Sequence, residues 1–486
     1  MTGNPHVPLR AHKTKIIATI GPASASPAVM EDLIRAGMDV ARLNFSHGTF
    51  DDQRRNIENL RVAAHTVGRD VAILADLPGP KIRLGAIADE PVELIAGQPF
   101  TLTTDDAPGG RTRASVSFPR LPRVVKPGDQ LFVNDGLVRL EVDTVADSEV
   151  QCHVVVGGEI RSRKGVNLPR LDLGIPAFTH HDRRCLEFAL RHGVDVVSQS
   201  FVESATDVES VRAAARSLSH DLFVIAKIER ARALDRIDEI AAAADGLMIA
   251  RGDLGVEVPI EQIAILQKRL IRKAIRAAKP VITATQMLES MTHSRQATRA
   301  EATDVANAIL DGTDCVMLSA ESATGMYPVD AVATLARIAE ATEPHRSRLE
   351  LWERMRTLPQ EVHPDLYDRL AIAAEAVMEF EGSAAVVVPT EDGRTARSIA
   401  RFRLPVWIAA VTSSEWVARQ LQLSYGVQPD VCPGPVADWN AFTRRWVRSQ
   451  GLAGATAVLL RGPSADRAPA NHTMELLELD VEGIGP

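Results

Sequence analysis

Apolar residues along this chain follow two alternating rhythms. Short runs rich in Val, Ile, Leu and Ala recur at 15–20, 40–43, 71–74, 194–197, 222–228, 246–250, 280–284 and 315–318. Between most of them lie longer Ala-rich stretches whose apolar residues return every three or four positions, the period of an amphipathic helix. Strands alternating with helices imply parallel βαβ units. Eight of them over this length predict an α/β fold built on a closed (β/α)8 TIM barrel, rather than an open doubly wound sheet. Asn44, Asp76, Lys227, Glu229, Asp253 and Thr285 fall at or just past the C-terminal ends of these runs. That face of a barrel is where such enzymes do their chemistry.

The interval between the third and fourth runs breaks the rhythm. Pro, Gly and alternating Val or Leu dominate it, with short strand-like pieces at 99–103, 130–133, 137–142 and 150–156. Turn-rich short strands indicate an all-β unit. Residues 78–175 are therefore expected to form a β domain inserted in the third βα loop, splitting the barrel into 1–77 and 176–350. Beyond 350 the βα texture resumes, with strand-like runs at 384–388, 406–411 and 455–460. This predicts a C-terminal α/β domain over 351–486, joined through the polar, Pro-containing stretch at 358–364.

Composition narrows the function more than the fold. A chain of 486 residues exceeds one ordinary core. Its hydrophobic (45%) and charged (24%) fractions are those of a globular protein. A net charge of −8, with no basic block interleaved with aromatics, argues against nucleic acid as a partner. No apolar run approaches membrane-spanning length and residues 1–13 lack an apolar leader core, so a cytoplasmic protein is expected. The four cysteines are scattered without metal-ligand spacing, which fits a reducing compartment.

The chemistry concentrates at 224–229 and 250–255. Alternate residues of a strand share a face, so Lys227 and Glu229 point together, and the next strand end adds Asp253. Two carboxylates completed by substrate oxygens is a common way to hold Mg²⁺. A lysine beside such a metal suits a developing negative charge. Taken alone, the same residues also fit salt-bridged strand ends. Arg42 and Asn44 share a face of the second strand, with Ser46 just beyond. An arginine fork suits a phosphate, and Asn and Ser offer oxygens to a cation. Neither a Walker loop nor a kinase-type glycine-rich loop is present.

The strings at 41–48, 76–83, 227–229, 248–259, 283–291 and 298–319 together resemble the pyruvate kinase family, along essentially the whole chain. That resemblance implies a three-domain subunit, assembled as a homotetramer, that transfers the phosphoryl group of phosphoenolpyruvate to ADP to give pyruvate and ATP. It further implies that Arg42 contacts the transferred phosphoryl group and that Glu229 and Asp253 ligate Mg²⁺, with Mn²⁺ as an alternative. The amides of Gly252 and Asp253 hold the substrate carboxylate. Lys227 stabilises charge on the phosphoryl group and enolate. Thr285 lies on the route that protonates the enolate carbon, with a water chain behind it because a threonine is too weak an acid. Arg83 and Lys164 reach the nucleotide phosphates.

Two departures from the family pattern carry expectations of their own. Lys81 stands where many members have a glutamate and require K⁺. Its ammonium is expected to take the place of that cation among oxygens of Asn44, Ser46, Asp76 and Leu77, making K⁺ unnecessary. In the C-terminal domain, Thr390, Gly393, Arg394 and Thr395 resemble the family's effector-phosphate loop. Glu391 and Asp392 add negative charge there, so a sugar monophosphate or nucleotide is the expected effector, against an ordinary αβ loop without a ligand. Two other readings compete. A barrel lyase or aldolase acting through a Mg²⁺-held pyruvate enolate shares the Glu–Asp pair but has no need of Arg42, Arg83 and Lys164. A non-catalytic metabolite sensor predicts the loss of Lys227, Thr285 or a metal carboxylate, and all are present.

Overall fold

The computed structural model describes residues 8–346, 366–380, 382–462 and 472–479. Its centre is a closed barrel of eight parallel strands: Lys15–Ile20, Val40–Asn44, Ala72–Leu77, Val196–Gln199, Val224–Ile228, Gly246–Ala250, Val281–Ala284 and Cys315–Leu318. The first pairs with the eighth, Lys15 opposite Cys315, which closes the ring. Ile17, Leu74, Ile225, Met248, Ile282 and Met317 fill the interior, while a larger apolar layer joins the strands to the surrounding helices. Helices after strands two, four and seven open on capping boxes, Thr49 with Asp52, Ser204 with Asp207, and Thr298 with Glu301. Each satisfies amides that a helix N-terminus leaves free.

The strands differ in extent from the apolar runs. The third continues to Leu77 and the fourth to Gln199, because Asp76, Ser198 and Gln199 are buried although polar. The apolar pattern ends before each strand does.

The bottom of the barrel has a repeating seam. Asp39, Asp195, Asp245 and Asp314 immediately precede strands two, four, six and eight. Each accepts an amide from the neighbouring odd strand: Ile16 at 2.9 Å, Ile73 at 2.8 Å, Val224 at 2.9 Å and Val281 at 3.0 Å. An arginine neutralises each carboxylate, Arg10, Arg61, Arg212 and Arg403 in turn. Asp39, Asp195 and Asp314 are buried and Asp245 is half-buried, and buried carboxylates persist only when paired and hydrogen-bonded in this way.

The insertion forms a six-stranded sheet in the order Val166–Asn167, Gln130–Val133, Val138–Val145, Glu149–Val156, Pro99–Thr103 and Arg113–Ser115, beside a ribbon of Gly158–Ile160 and Val92–Leu94. One helical turn, Leu121–Val124, interrupts its β character. Phe100, Leu102, Leu131 and Leu140 belong to a core of its own.

The C-terminal domain is a five-stranded sheet, ordered Val427–Val431, Trp407–Thr412, Ser383–Pro389, Thr456–Arg461 and Thr473–Glu478, with the last strand antiparallel. Two of these strands gave no apolar run: 427–431 is broken by Pro429 and Asp430, and 473–478 alternates exposed residues. The domain docks on the barrel's bottom. Leu423, fully buried, joins the barrel's interior cluster. Lys15 Nζ donates to the Val427 carbonyl at 2.8 Å, Arg419 reaches Asp195 at 3.3 Å, and Arg403 reaches Asp314 at 2.6 Å. The connecting stretch 358–364 lies outside the described residues.

Candidate active site

Three strand ends converge on Asp76, itself near the end of strand three, at the barrel's upper mouth. Arg42, from strand two, donates to Asp76 Oδ2 through Nε at 2.9 Å and Nη2 at 2.6 Å. Its Nη1 donates to Thr19 Oγ1 at 2.9 Å, and that hydroxyl donates to the Leu318 carbonyl. Ser198, from strand four, donates to Asp76 Oδ1 at 2.7 Å. Lys227 Nζ, from strand five, stands 3.3 Å from Asp76 Oδ1 and 3.4 Å from Glu229 Oε2, and donates to Ser200 Oγ at 2.6 Å. Lys227 and Glu229 thus share a face, as alternation requires.

Burial and charge set the protonation of this cluster. Burial alone pushes the Asp76 carboxyl up, but Lys227 and Arg42 outweigh it and hold its pKa below the usual value. Burial works against charge on Lys227 too, yet Asp76 and Glu229 more than compensate, so the ammonium is held more firmly than in an ordinary lysine. Glu229 goes the other way. Burial, with Asp253 adding to it against Lys227, raises its pKa to about 7. Its Oε1 accepts the Phe201 amide at 2.8 Å, while Oε2 is buried without a hydrogen-bond partner.

That oxygen, with only the Lys227 ammonium 3.4 Å away, has lone pairs to offer a cation. A buried carboxylate oxygen without a donor costs free energy that a bound metal would recover. Among the described residues no three His, Cys, Asp or Glu side chains cluster closely enough to hold a metal unaided. The donor set, Glu229 with Asp253, fits a hard divalent cation whose remaining ligands are substrate oxygens and water.

Asp253 lies in the first turn of the helix Arg251–Glu257, directly above strand six. Thr285 follows strand seven with φ +73°, and Gln286 with φ +55°. Phe201, after strand four, has φ +60°. Non-glycine residues in this region cost of order 1–3 kcal/mol each and gather where geometry is functional. Arg251 fixes this one, donating to the Thr285 carbonyl at 2.8 Å and pairing with Asp304 at 2.7 Å. Gly252 makes room for it: a Cβ there would meet Thr285 Cγ2 at 2.6 Å.

Arg83 and Lys164 come together where the insertion leaves the barrel. Arg83 bridges Gly165 antiparallel, and the Lys164 carbonyl accepts the Leu84 amide at 2.8 Å. His47 registers the positive field across the mouth. Its pKa is lowered by burial, then by Arg83, Arg42 and Lys81.

The carboxylate nearest Lys81 is that of Asp253. The Lys81 hydrogen bond is to Asp253 Oδ1 at 3.4 Å, with Asp135 Oδ1 of the inserted domain 4.0 Å away, and none joins Lys81 to Asn44, Ser46, Asp76 or Leu77. Those oxygens are engaged elsewhere. Asp76 is taken by Arg42, Ser198 and Lys227, the Leu77 carbonyl by Ser200 at 2.7 Å, and Asn44 Oδ1 by the Ser46 amide at 3.0 Å. Asp253 is the carboxylate left for the ammonium.

In the C-terminal domain, Thr390, Arg394 and Thr395 line a cavity of about 990 Å³ with Trp439 and Arg461. Gly393, with φ +79°, shapes its rim by donating to Thr390 Oγ1 at 2.9 Å.

Sequence reasoning missed Thr19, Ser198, Ser200, Arg251 and Asp135 as contributors. Ser198 and Ser200 lie just past the apolar run 194–197, and the partnerships of Arg251 and Asp135 depend on contacts across the fold.

A closed parallel barrel bearing buried cations and two carboxylates at its C-terminal mouth is an arrangement suited to metal-assisted chemistry on an anionic substrate. The model of the pyruvate kinase barrel domain matches residues 11–332, and that of the pyruvate kinase alpha/beta domain matches 368–465. A pyruvate kinase of Thermococcus litoralis is 50% identical over 427 residues, 87% of this chain and 89% of that protein. Those of Sporosarcina psychrophila and Geobacillus stearothermophilus are each 43% identical, covering 86% and 87% of this chain and 72% of their own lengths. The chain belongs to the pyruvate kinase family, and is a phosphotransferase with phosphoenolpyruvate and ADP as substrates and pyruvate and ATP as products. The family works with a divalent metal.

Proposed function

We propose that this mouth transfers the phosphoryl group with Arg42, Lys227 and Thr285 touching the reacting atoms, without K⁺ and under control of the C-terminal domain. The observation that carries the reading is the buried Arg42–Asp76–Lys227–Glu229 network, in which Glu229 Oε2 accepts no hydrogen bond. Phosphoryl transfer asks a protein chiefly for positioning and charge neutralisation.

Glu229 and Asp253 hold Mg²⁺ or Mn²⁺, which when bound supplies Lewis-acid neutralisation of the substrate's oxygens. Asp76 keeps Arg42 and Lys227 oriented, so neither has to reorganise as charge develops on the phosphoryl group and enolate. The amides of Gly252 and Asp253 bind the substrate carboxylate. Thr285, pinned by Arg251, lines the route by which a water chain delivers a proton to the enolate carbon. Arg83 and Lys164, at the root of the inserted domain, bind the nucleotide phosphates. Closure of that domain excludes water that would otherwise hydrolyse the phosphate.

Lys81 supplies from its own side chain the positive charge that a monovalent cation would bring to this mouth. The effector at Thr390, Gly393, Arg394 and Thr395 is a sugar monophosphate or a nucleotide, for whose base Trp439 offers a stacking face. The working unit is a homotetramer in the cytoplasm. No helix among the described residues is long and apolar enough to cross a membrane.

The test is ATP formation from phosphoenolpyruvate and ADP with Mg²⁺, with and without K⁺, for wild type and Lys81→Glu. Full wild-type rate without K⁺, with K⁺ dependence in the variant, is the expected result. A wild type that requires K⁺ would remove the role given to Lys81, and no ATP under any cation would remove the catalytic assignment.

A further inference from the structure

Lys81 sits where three parts of the chain meet. It lies on the connection from strand three into the inserted domain, with its ammonium between Asp253 of the barrel and Asp135 of the insertion. The turn carrying Asp135 is shaped to reach this point. Asn134, Asp135 and Gly136 all adopt left-handed backbone, with φ of +55°, +54° and +90°. Asn134 anchors the turn, its amide donating to the Gly165 carbonyl at 3.1 Å and its Nδ2 to the Glu159 carbonyl at 3.0 Å. Gly136 then rests against the helix that carries Asp253, where a Cβ would stand 3.4 Å from Val256 Cγ2. The Lys81 stem runs past Gly165, with Cε 3.0 Å from where a Cβ would lie.

We propose that Lys81 is a latch shared by Asp253 and Asp135, coupling cation binding at the barrel mouth to docking of the inserted domain's tip. The inference rests on the reading of Glu229 and Asp253 as the divalent-cation ligands. With no divalent cation bound, the ammonium neutralises Asp253. A cation at Asp253 repels that ammonium, and Asp135 is the carboxylate already within reach of it. The ion pair then ties the loop below the insertion to the insertion's own tip and holds that tip on the helix Arg251–Glu257. Asp135 acts through Lys81 and is a positioning residue.

The latch has a directional signature in Mn²⁺ affinity, measured on the full-length protein by the electron paramagnetic resonance of free Mn²⁺. Lys81→Met removes the competitor for Asp253 and tightens binding about two- to fivefold, the range an exposed ion pair spans. Asp135→Asn strands the ammonium on Asp253 and weakens binding by a similar factor. In the Lys81→Met background Asp135→Asn has no effect. Mn²⁺ also slows amide hydrogen exchange at 134–137 in wild type but not in Asp135→Asn. If Asp135→Asn weakens binding equally in both backgrounds, it acts only through its field and the latch is overturned. Unchanged affinities in both single variants overturn it too. Glu229→Gln separates the two readings, because Mn²⁺ binding that survives this change refutes the metal site itself.

Discussion

Gly252→Ala tests whether the placement of Thr285 limits catalysis. Gly252 lies in the helix Arg251–Glu257 and has no positive φ, so alanine suits its backbone. An added Cβ would meet Thr285 Cγ2 at 2.6 Å. Ordinary carbon contacts stand at ~3.5–4.0 Å, so a gap of about 1 Å must open. Thr285 resists moving, because Arg251 holds its carbonyl at 2.8 Å and is itself paired with Asp304. The strain divides between the threonine and the helix that carries Asp253. Misplacement by about 1 Å costs on the order of 10²-fold in rate. The expected result is a kcat lower by that factor in the assay coupling phosphoenolpyruvate to ATP. Enolisation of pyruvate, followed by exchange of its methyl protons, should slow in parallel. Stability should move little, since alanine favours the helix by up to ~1 kcal/mol, against the cost of the contact. A folded variant with kcat within about threefold of wild type would refute the reasoning.

Two further perturbations address the scaffold. Arg403→Ala strips Asp314 of contacts to both its oxygens, at 2.9 and 2.6 Å, where both side chains are only 3% exposed. Loss of one partner of a buried pair costs ~3–5 kcal/mol, read as an earlier urea transition, and a loss under about 1 kcal/mol would contradict the buried-pair account. Asp39 is pushed up by burial, but Arg10, Lys15 and His12 together with the Ile16 amide bring its pKa below the ordinary 3.8. Its contribution to stability is therefore complete above pH 3.8 and is lost as pH falls through the lower folded value. Asp39→Asn should flatten the acid limb of the melting temperature, and an unchanged limb would reject this assignment.

Much of the architecture was legible in the chain because a parallel barrel buries its strands as continuous apolar runs. The same rule hid the ends of strands three and four, where Asp76, Ser198 and Gln199 are interior but polar. Lys227, Glu229 and Asp253 stood out as candidates because each is a charged residue at or just past the end of an apolar run. Residues that position the others did not. Arg251 owes its role to Thr285 and Asp304, 34 and 53 residues away in sequence. Lys81 was placed by analogy of charge. Its contact with Asp253, 172 residues on, depends on the fold.

The seam of four aspartates has a mechanical consequence. Because the same joint recurs at every second strand, the barrel is a ring of four equivalent quarters. Beside its contact with Lys15 of strand one, the C-terminal domain holds two joints of this seam, through Arg419 at Asp195 and Arg403 at Asp314. These residues begin strands four and eight, which face each other across the ring. The C-terminal domain is thus anchored at two opposite staves of the barrel, so that a displacement of the domain would load the ring across its diameter.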